Sequence, residues 1–323
     1  MMRKTLRWIL TIVILAVLVF YPKIVGIYYT NVFVTFAISA LFATSFNLLL
    51  GYTGLLSFGH AMFFGTGAYG TALVLEHIKG MPLIAALLAG LLAAALLALI
   101  LCPIMVRVSG TAFAMLHLAF GQLMYVLALK LRGITGGEDG VGGFPIPPLN
   151  IPGFVSIDMT DPTHFYYFAI TVLALSMIFL WFFTKTPFGS IMVAVRDNDK
   201  RVDYLGFKVP QTKAVIYIIA GAFAGVAGSI YALFNNLIAA DDGFNVLVSF
   251  APIMMTIVGG IGSFFGPLMG SAIFGIIGEM TSRYTERVEL VMGLILILVI
   301  LYAPYGFMGF IGFVRKKIAK AAS

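Results

Sequence analysis

Charge is scarce in this chain. Only 10% of its 323 residues are Asp, Glu, Lys or Arg, where a soluble domain carries about 25%. That excludes a water-facing globule, because too few polar side chains exist to cover one. Cysteine is nearly absent too. The single Cys102 rules out a disulfide within the chain, and it sits in an apolar run where it reads as a small packing side chain. The four histidines, at 60, 77, 117 and 164, are scattered without ligand spacing, so no metal site is expected. Also missing are G-x-x-x-x-G-K-[ST], G-x-S-x-G and H-E-x-x-H, which removes a nucleotide loop, a nucleophile elbow and a zinc-protease helix. Nothing assembles a catalytic centre by spacing. Work done by such a chain must draw on an ion gradient or on another subunit.

What is abundant is apolar sequence. Hydrophobic residues make up 61%, and the mean hydropathy is +1.05. The class is a polytopic α-helical membrane protein, embedded in lipid as one transmembrane domain over 1–323. A helix needs about 20 apolar residues to cross the hydrocarbon core. Ten spans are predicted, near 6–22, 31–50, 55–76, 82–106, 111–130, 164–184, 213–238, 247–262, 264–281 and 289–312. The first resembles a leader, but no small-x-small cleavage site follows it, so it reads as a retained helix. The third, eighth and ninth are rich in Gly and are candidates for broken or re-entrant helices.

Charge placement orients this array. With both termini cytoplasmic and ten crossings, fourteen of the twenty basic residues fall inside and six outside. The net charge of +7 is therefore explained by topology and does not indicate nucleic acid. The longest outside loop, 131–163, is rich in Gly and Pro and carries Glu138 and Asp139. It reads as irregular, either a connector or a surface for an external partner. A second acidic pair, Asp241 and Asp242, falls in the next outside loop. Glu279 lies near the outer end of its span, close enough to the interface that simple solvation is the preferred reading over a proton or ion site.

Two Gly-rich runs stand out. One is GYTGLLSFGHAMFFGTGAYG, from Gly51 to Gly70; the other, IVGGIGSFFGPLMGSAIFGIIG, spans Ile257 to Gly278. Glycine lets helices approach closely or break, and a break at membrane depth must be covered by protein or line a cavity. Asn47, Ser57 and His60 near the first break, and Asn235 and Asn236 near the outer mouth, are the polar candidates for a translocation path. Interhelical hydrogen bonding is the competing reading for His60.

The one polar island is Lys185 to Lys213, KTPFGSIMVAVRDNDKRVDYLGFKVPQTK, with the inside loop at 185–212. Ser190 to Leu205 has helical character, with Ile191, Val195, Val202 and Leu205 near one face. Gly206 is a plausible stop. Such a helix can lie on the membrane or dock in a partner's groove.

Pro187-Phe188-Gly189, then Ala-Val-Arg-Asp-Asn-Asp at 194–199, then Leu205-Gly206, resembles the coupling loop of Liv-type ABC importer permeases. GYTGLLSFGHAMFFGTGAY, AGAFAGVAGSIYAL (220–233) and VGGIGSFFGPLMGSAI are similar to the same family, in order, over about residues 30–310. The likeness is strongest to the LivM-type subunit of branched-chain amino acid importers. Ser190 and the Lys200–Tyr204 stretch depart from the family pattern, which leaves the solute open; urea, short amides and small aromatic carboxylates are the alternatives. The resemblance implies an ABC permease fold and a non-catalytic transport subunit in the bacterial inner membrane. It implies a LivH-type second permease, two LivG/LivF-type ATPases that hold ATP and Mg, and a periplasmic binding protein. Pro187, Phe188, Gly189, Leu205 and Gly206 would shape the coupling helix. Arg196, Asp197, Asp199, Lys200 and Arg201 would supply its polar contacts.

Overall fold

The computed structural model describes residues 18–151, 155–285, 287–302 and 306–308. The first predicted span lies outside these residues except for its last turn, which belongs to a helix α1 at 18–25. The last predicted span is described only in part. The helices that follow are α2 (Ile27–Thr53), α3 (Ala61–His77), α4 (Leu83–Met105), α5 (Gly110–Lys130) and the single turn α6 (Arg132–Thr135). Three short strands come next, β1 (Val141–Gly142), β2 (Leu149–Ile151) and β3 (Val155–Ile157). Then come α7 (Pro162–Lys185), α8 (Pro187–Asp197), α9 (Asp199–Tyr204) and α10 (Val209–Asn235). The chain continues through β4 (Leu237–Ile238), α11 (Ala240–Phe244), α12 (Val246–Gly259), α13 (Gly266–Ser282) and α14 (Val288–Tyr302). Among the described residues seven helical segments are long and apolar enough to cross a membrane. α3 and α13 are 17 residues each.

The core is α3, α4 and α10, which pack on one another. They meet through glycine. A Cβ at Gly67 would overlap the backbone of Gly225, and one at Gly90 would overlap Ser229 and Thr71. Ser229 Oγ donates to the Gly67 carbonyl at 3.1 Å. Lipid gives no hydrophobic drive between helices, so close backbone approach and such bonds hold them together. α4 shows the opposite face: Leu88, Leu92, Leu96 and Leu99 are exposed, an apolar stripe suited to lipid. α2 and α12–α13 pack beside this core.

The Gly-rich runs are broken helices, as their composition suggests. The third predicted span, 55–76, is helical only from Ala61. α2 ends at Thr53, and Gly54 takes φ 72 while Leu55 N–H donates to Leu49 O at 2.8 Å, a Schellman-type stop. The eighth and ninth spans stop at Gly259 and restart at Gly266.

The loop 131–163 is more ordered than its Gly and Pro content suggests. β2 pairs with β3, and β1 pairs antiparallel with β4, Val141 opposite Ile238. The partner strand lies about a hundred positions away, so local composition could not announce it. The loop ends in a helix cap: Asp161 Oδ1 accepts the Thr163 N–H at 2.7 Å ahead of Pro162. That backbone hydrogen bond holds the Asp161 carboxyl below its ordinary pKa.

Candidate functional site

The segments predicted to be inside converge at one place. Arg196, on the last turn of α8, donates from Nη1 to the Gly51 carbonyl at 2.6 Å. Its Nε and Nη2 contact Asp197 Oδ1 at 3.1 and 3.0 Å. Gly51 is on the last turn of α2, where carbonyls have no helical partner and the helix dipole is negative; a guanidinium fits both needs. The second glycine break closes the same spot. Gly262 N–H donates to Asn47 Oδ1 at 3.3 Å, and Asn47 Nδ2 donates to Ser263 O at 2.9 Å. A Cβ at Gly262 would lie 3.1 Å from Arg196 Nη1, and one at Gly54 3.2 Å from Arg196 Cγ. The two Gly-x-x-Gly runs thus meet across α2, with Arg196 between them.

Around Arg196 lies a polar groove of about 350 Å³, whose lining includes Thr53, Gly54, Ser109, Gly110, Asp199 and Lys213. Lys213 was the last residue of the polar island, with no role read from the sequence. Its side chain is 8% exposed and pairs with Asp199 Oδ2 at 3.5 Å, as a buried ammonium must. That pair ties α9 to the first turn of α10.

The loop itself is two helices, not one. Pro187 opens α8 after extended Thr186. Phe188 packs on Phe183, ring centroids 5.5 Å apart. Gly189 is buried because a Cβ there would overlap the Thr184 carbonyl. The predicted helix over 190–205 breaks at Asn198, which is extended (φ −163) and caps α9 by accepting Arg201 N–H at 2.9 Å. Val195, Val202 and Val209 form a small core with Ile191. Leu205 does not join it. It is 71% exposed, beside Tyr204 at 88% and Phe207 at 46%, because α9 ends at Tyr204 and Leu205 falls on its C-cap rather than on the face that carries Val202. Gly206 (φ 87) stops α9. Lys200, Arg201 and Asp203 are exposed. Arg196 and Asp199 therefore bond within the chain, while an aromatic and cationic tip points outward.

The path candidates do not gather. Ser57 and His60 are fully buried, and Asn47 is almost so. His60 Nε2 lies 3.0 Å from Ser45 Oγ and stacks on Phe42; its Nδ1 has no partner among the described residues. Ser57 Oγ bonds His117 Nδ1, and His117 Nε2 lies 2.7 Å from the Tyr217 hydroxyl. These histidines join α2, α3, α5 and α10 as interhelical links. Asn235 Nδ2 bonds Tyr231 O at 3.1 Å, and Asn236, at φ 49, caps α10; both lie at the opposite end from Arg196. Among the described residues no group of three His, Cys, Asp or Glu could hold a metal.

A polar seam that the sequence reading passed over does reach open space. Asn31, Thr35 and Ser39 on α2 line a groove of about 530 Å³ with Ser271 and Glu279 of α13. Their i, i+4, i+8 spacing within an apolar helix was the signal available.

The family model described as "Branched-chain amino acid transport system / permease component" matches residues 28–302. The chain is 27% identical over 273 residues to the high-affinity branched-chain amino acid transport system permease protein LivM of Salmonella typhimurium, covering 78% of this chain and 63% of that one. The Escherichia coli LivM is 26% identical over 272 residues with the same coverage. The probable LivM of Methanocaldococcus jannaschii is 22% identical over 295 residues, covering 80% and 83%. The chain thus spans about 63% of the length of the two bacterial relatives. No solved structure matches.

Proposed function

We propose, from the premise that the chain belongs to the branched-chain amino acid transport permease family, that it is a permease subunit of a binding-protein-dependent ABC importer for branched-chain amino acids. It catalyses nothing itself; ATP and Mg act in two LivG/LivF-type partners. A LivH-type permease completes the pathway, and a periplasmic protein delivers the solute. The chain sits in the bacterial inner membrane, with about ten crossings and both ends cytoplasmic.

The observation that carries this reading is the Arg196 junction. α8–α9 projects Tyr204, Leu205 and Phe207 outward, a tip suited to an apolar groove in an ATPase. Its inner side is bonded to the end of α2 and, through Asn47, to the turn before α13. Motion imposed on the tip therefore reaches two broken helices directly, and broken helices have two arrangements to choose between. Lys200 and Arg201 supply rim charge, and the Asp199–Lys213 pair fixes α9 on α10.

The test is ATPase activity of the reconstituted complex with its binding protein, across leucine, isoleucine, valine, urea, a short amide and a small aromatic acid. Stimulation by the three aliphatic amino acids alone supports the reading. Stimulation by another member of the panel keeps the permease and replaces the solute. An assembled complex that responds to none contradicts the importer assignment for these solutes.

A further inference from the structure

α2 carries a feature that lipid contact does not explain. One side of it carries Tyr28 and Thr35, which are exposed, and Asn31 and Ser39, which are half-buried, interleaved with Val32 and Phe36. The exposed face of α4, by contrast, is apolar, with Leu88, Leu92, Leu96 and Leu99. The Thr35 hydroxyl donates to the Asn31 carbonyl at 3.2 Å, and the Asn31 carboxamide and Ser39 hydroxyl beside it suit water or a polar solute better than hydrocarbon. The seam faces α13 across the groove of about 530 Å³, a volume in the range of ligand sites, about 300–1,000 Å³. Its far wall is apolar, including Met255, Phe274 and Met292.

The charged end of the groove is specific. Glu279 lines it, accepts from the Tyr28 hydroxyl, and is paired with Arg283 Nη2 at 3.2 Å, one turn on. Arg283 lines a neighbouring groove of about 470 Å³ that shares Val32, Phe36, Gly275 and Glu279 with the first. One carboxylate and one guanidinium therefore stand side by side at the mouth, above apolar walls. They lie at the end of α2 opposite Gly51 and the Arg196 junction. We infer that Glu279 and Arg283 form an entry site for the zwitterionic head of an aliphatic α-amino acid. The ammonium pairs with Glu279, the carboxylate with Arg283, and the side chain enters the groove along Asn31, Thr35 and Ser39. This rests on the importer reading above. A guanidinium and a carboxylate of fixed spacing favour a head group bearing both charges: a simple carboxylate would engage Arg283 alone, and uncharged urea would displace neither member of the Glu279–Arg283 pair.

The experiment is leucine uptake by proteoliposomes holding the whole importer and its binding protein. Parental uptake is measured first; its absence removes the importer reading and this inference with it. Given parental uptake, Glu279→Gln and Arg283→Gln should each lower uptake by about tenfold, the loss of one charged hydrogen bond, while assembly of the complex stays parental. The double variant Glu279→Arg with Arg283→Glu keeps an internal ion pair but inverts the head-group order. It should remain as poor as the single variants. Restoration by the double variant means the pair is only structural and overturns the inference, as does parental uptake in both single variants. Thr35→Cys and Ser39→Cys, with Cys102→Ala, supply a second readout. An impermeant thiol reagent added from outside should label both, and leucine-loaded binding protein should slow that labelling. Labelling by neither route overturns the groove as an entry path.

Discussion

Arg196 has two kinds of partner, and they separate its structural role from its surface. Nη1 satisfies a helix-end carbonyl 145 positions away, while Nε and Nη2 hold Asp197. A hydrogen bond from a charged group contributes about 1.5–3 kcal/mol. Arg196→Met should therefore leave membrane insertion intact yet reduce ATP-driven uptake by about tenfold, since about 1.4 kcal/mol is a factor of ten. Arg196→Lys should recover part of it, because an ammonium keeps the charge but loses the fork. Uptake paired with ATPase rate checks both. At the other end, Asp161 has a depressed pKa owing to its bond from the Thr163 N–H. A depressed carboxylate stabilises above its unfolded pKa and loses that contribution as pH falls through its folded value. The Tm difference between the parent and Asp161→Asn should be present at neutral pH and shrink as pH drops below the ordinary carboxylate range.

At the scale of elements, the break between α8 and α9 depends on one side chain. Asn198 supplies the α9 cap, and Asn→Ala at such a position costs about 1 kcal/mol. Asn198→Ala should speed amide exchange over 199–204 while α10 keeps its protection. Among the described residues, seven of the ten predicted spans match helices long and apolar enough to cross a membrane, legible because twenty apolar residues in a row have one physical use. The stop at Gly206 was legible because local backbone chemistry decides it, whereas the helix begins at Pro187, three residues before the predicted Ser190. The kink at Asn198 was obscured by a helical pattern running through it, although Asn followed by an acidic residue is a start signal. Leu205 shared a period with Val195 and Val202 only if the helix was continuous. Contacts between distant segments were not legible at all: Arg196 with Gly51, Lys213 with Asp199 beneath the loop, β1 with β4. Asn47, Ser57 and His60 stand out in the sequence as polar groups in a span, but their partners lie within the chain, and the polar seam sits toward the other end of α2.

The whole molecule has two ends of opposite character. One holds Gly51, Gly262, Arg196 and the α8–α9 tip; the other holds Tyr28, Glu279, Asn236 and the paired strands. With Cys102→Ala, Ser190→Cys should label only from the cytoplasmic side and Thr160→Cys only from the external side; reversed labelling would invert the topology. The single most direct measurement places a cysteine at Tyr204, the exposed tip of α9, in the assembled importer carrying Cys102→Ala. If α8–α9 couples nucleotide closure to the broken helices, Tyr204→Cys should crosslink to an ATPase subunit, with a yield that changes on adding ATP. Crosslinking absent in an assembled, ATP-hydrolysing complex, or a yield indifferent to nucleotide, would contradict the coupling role of this loop.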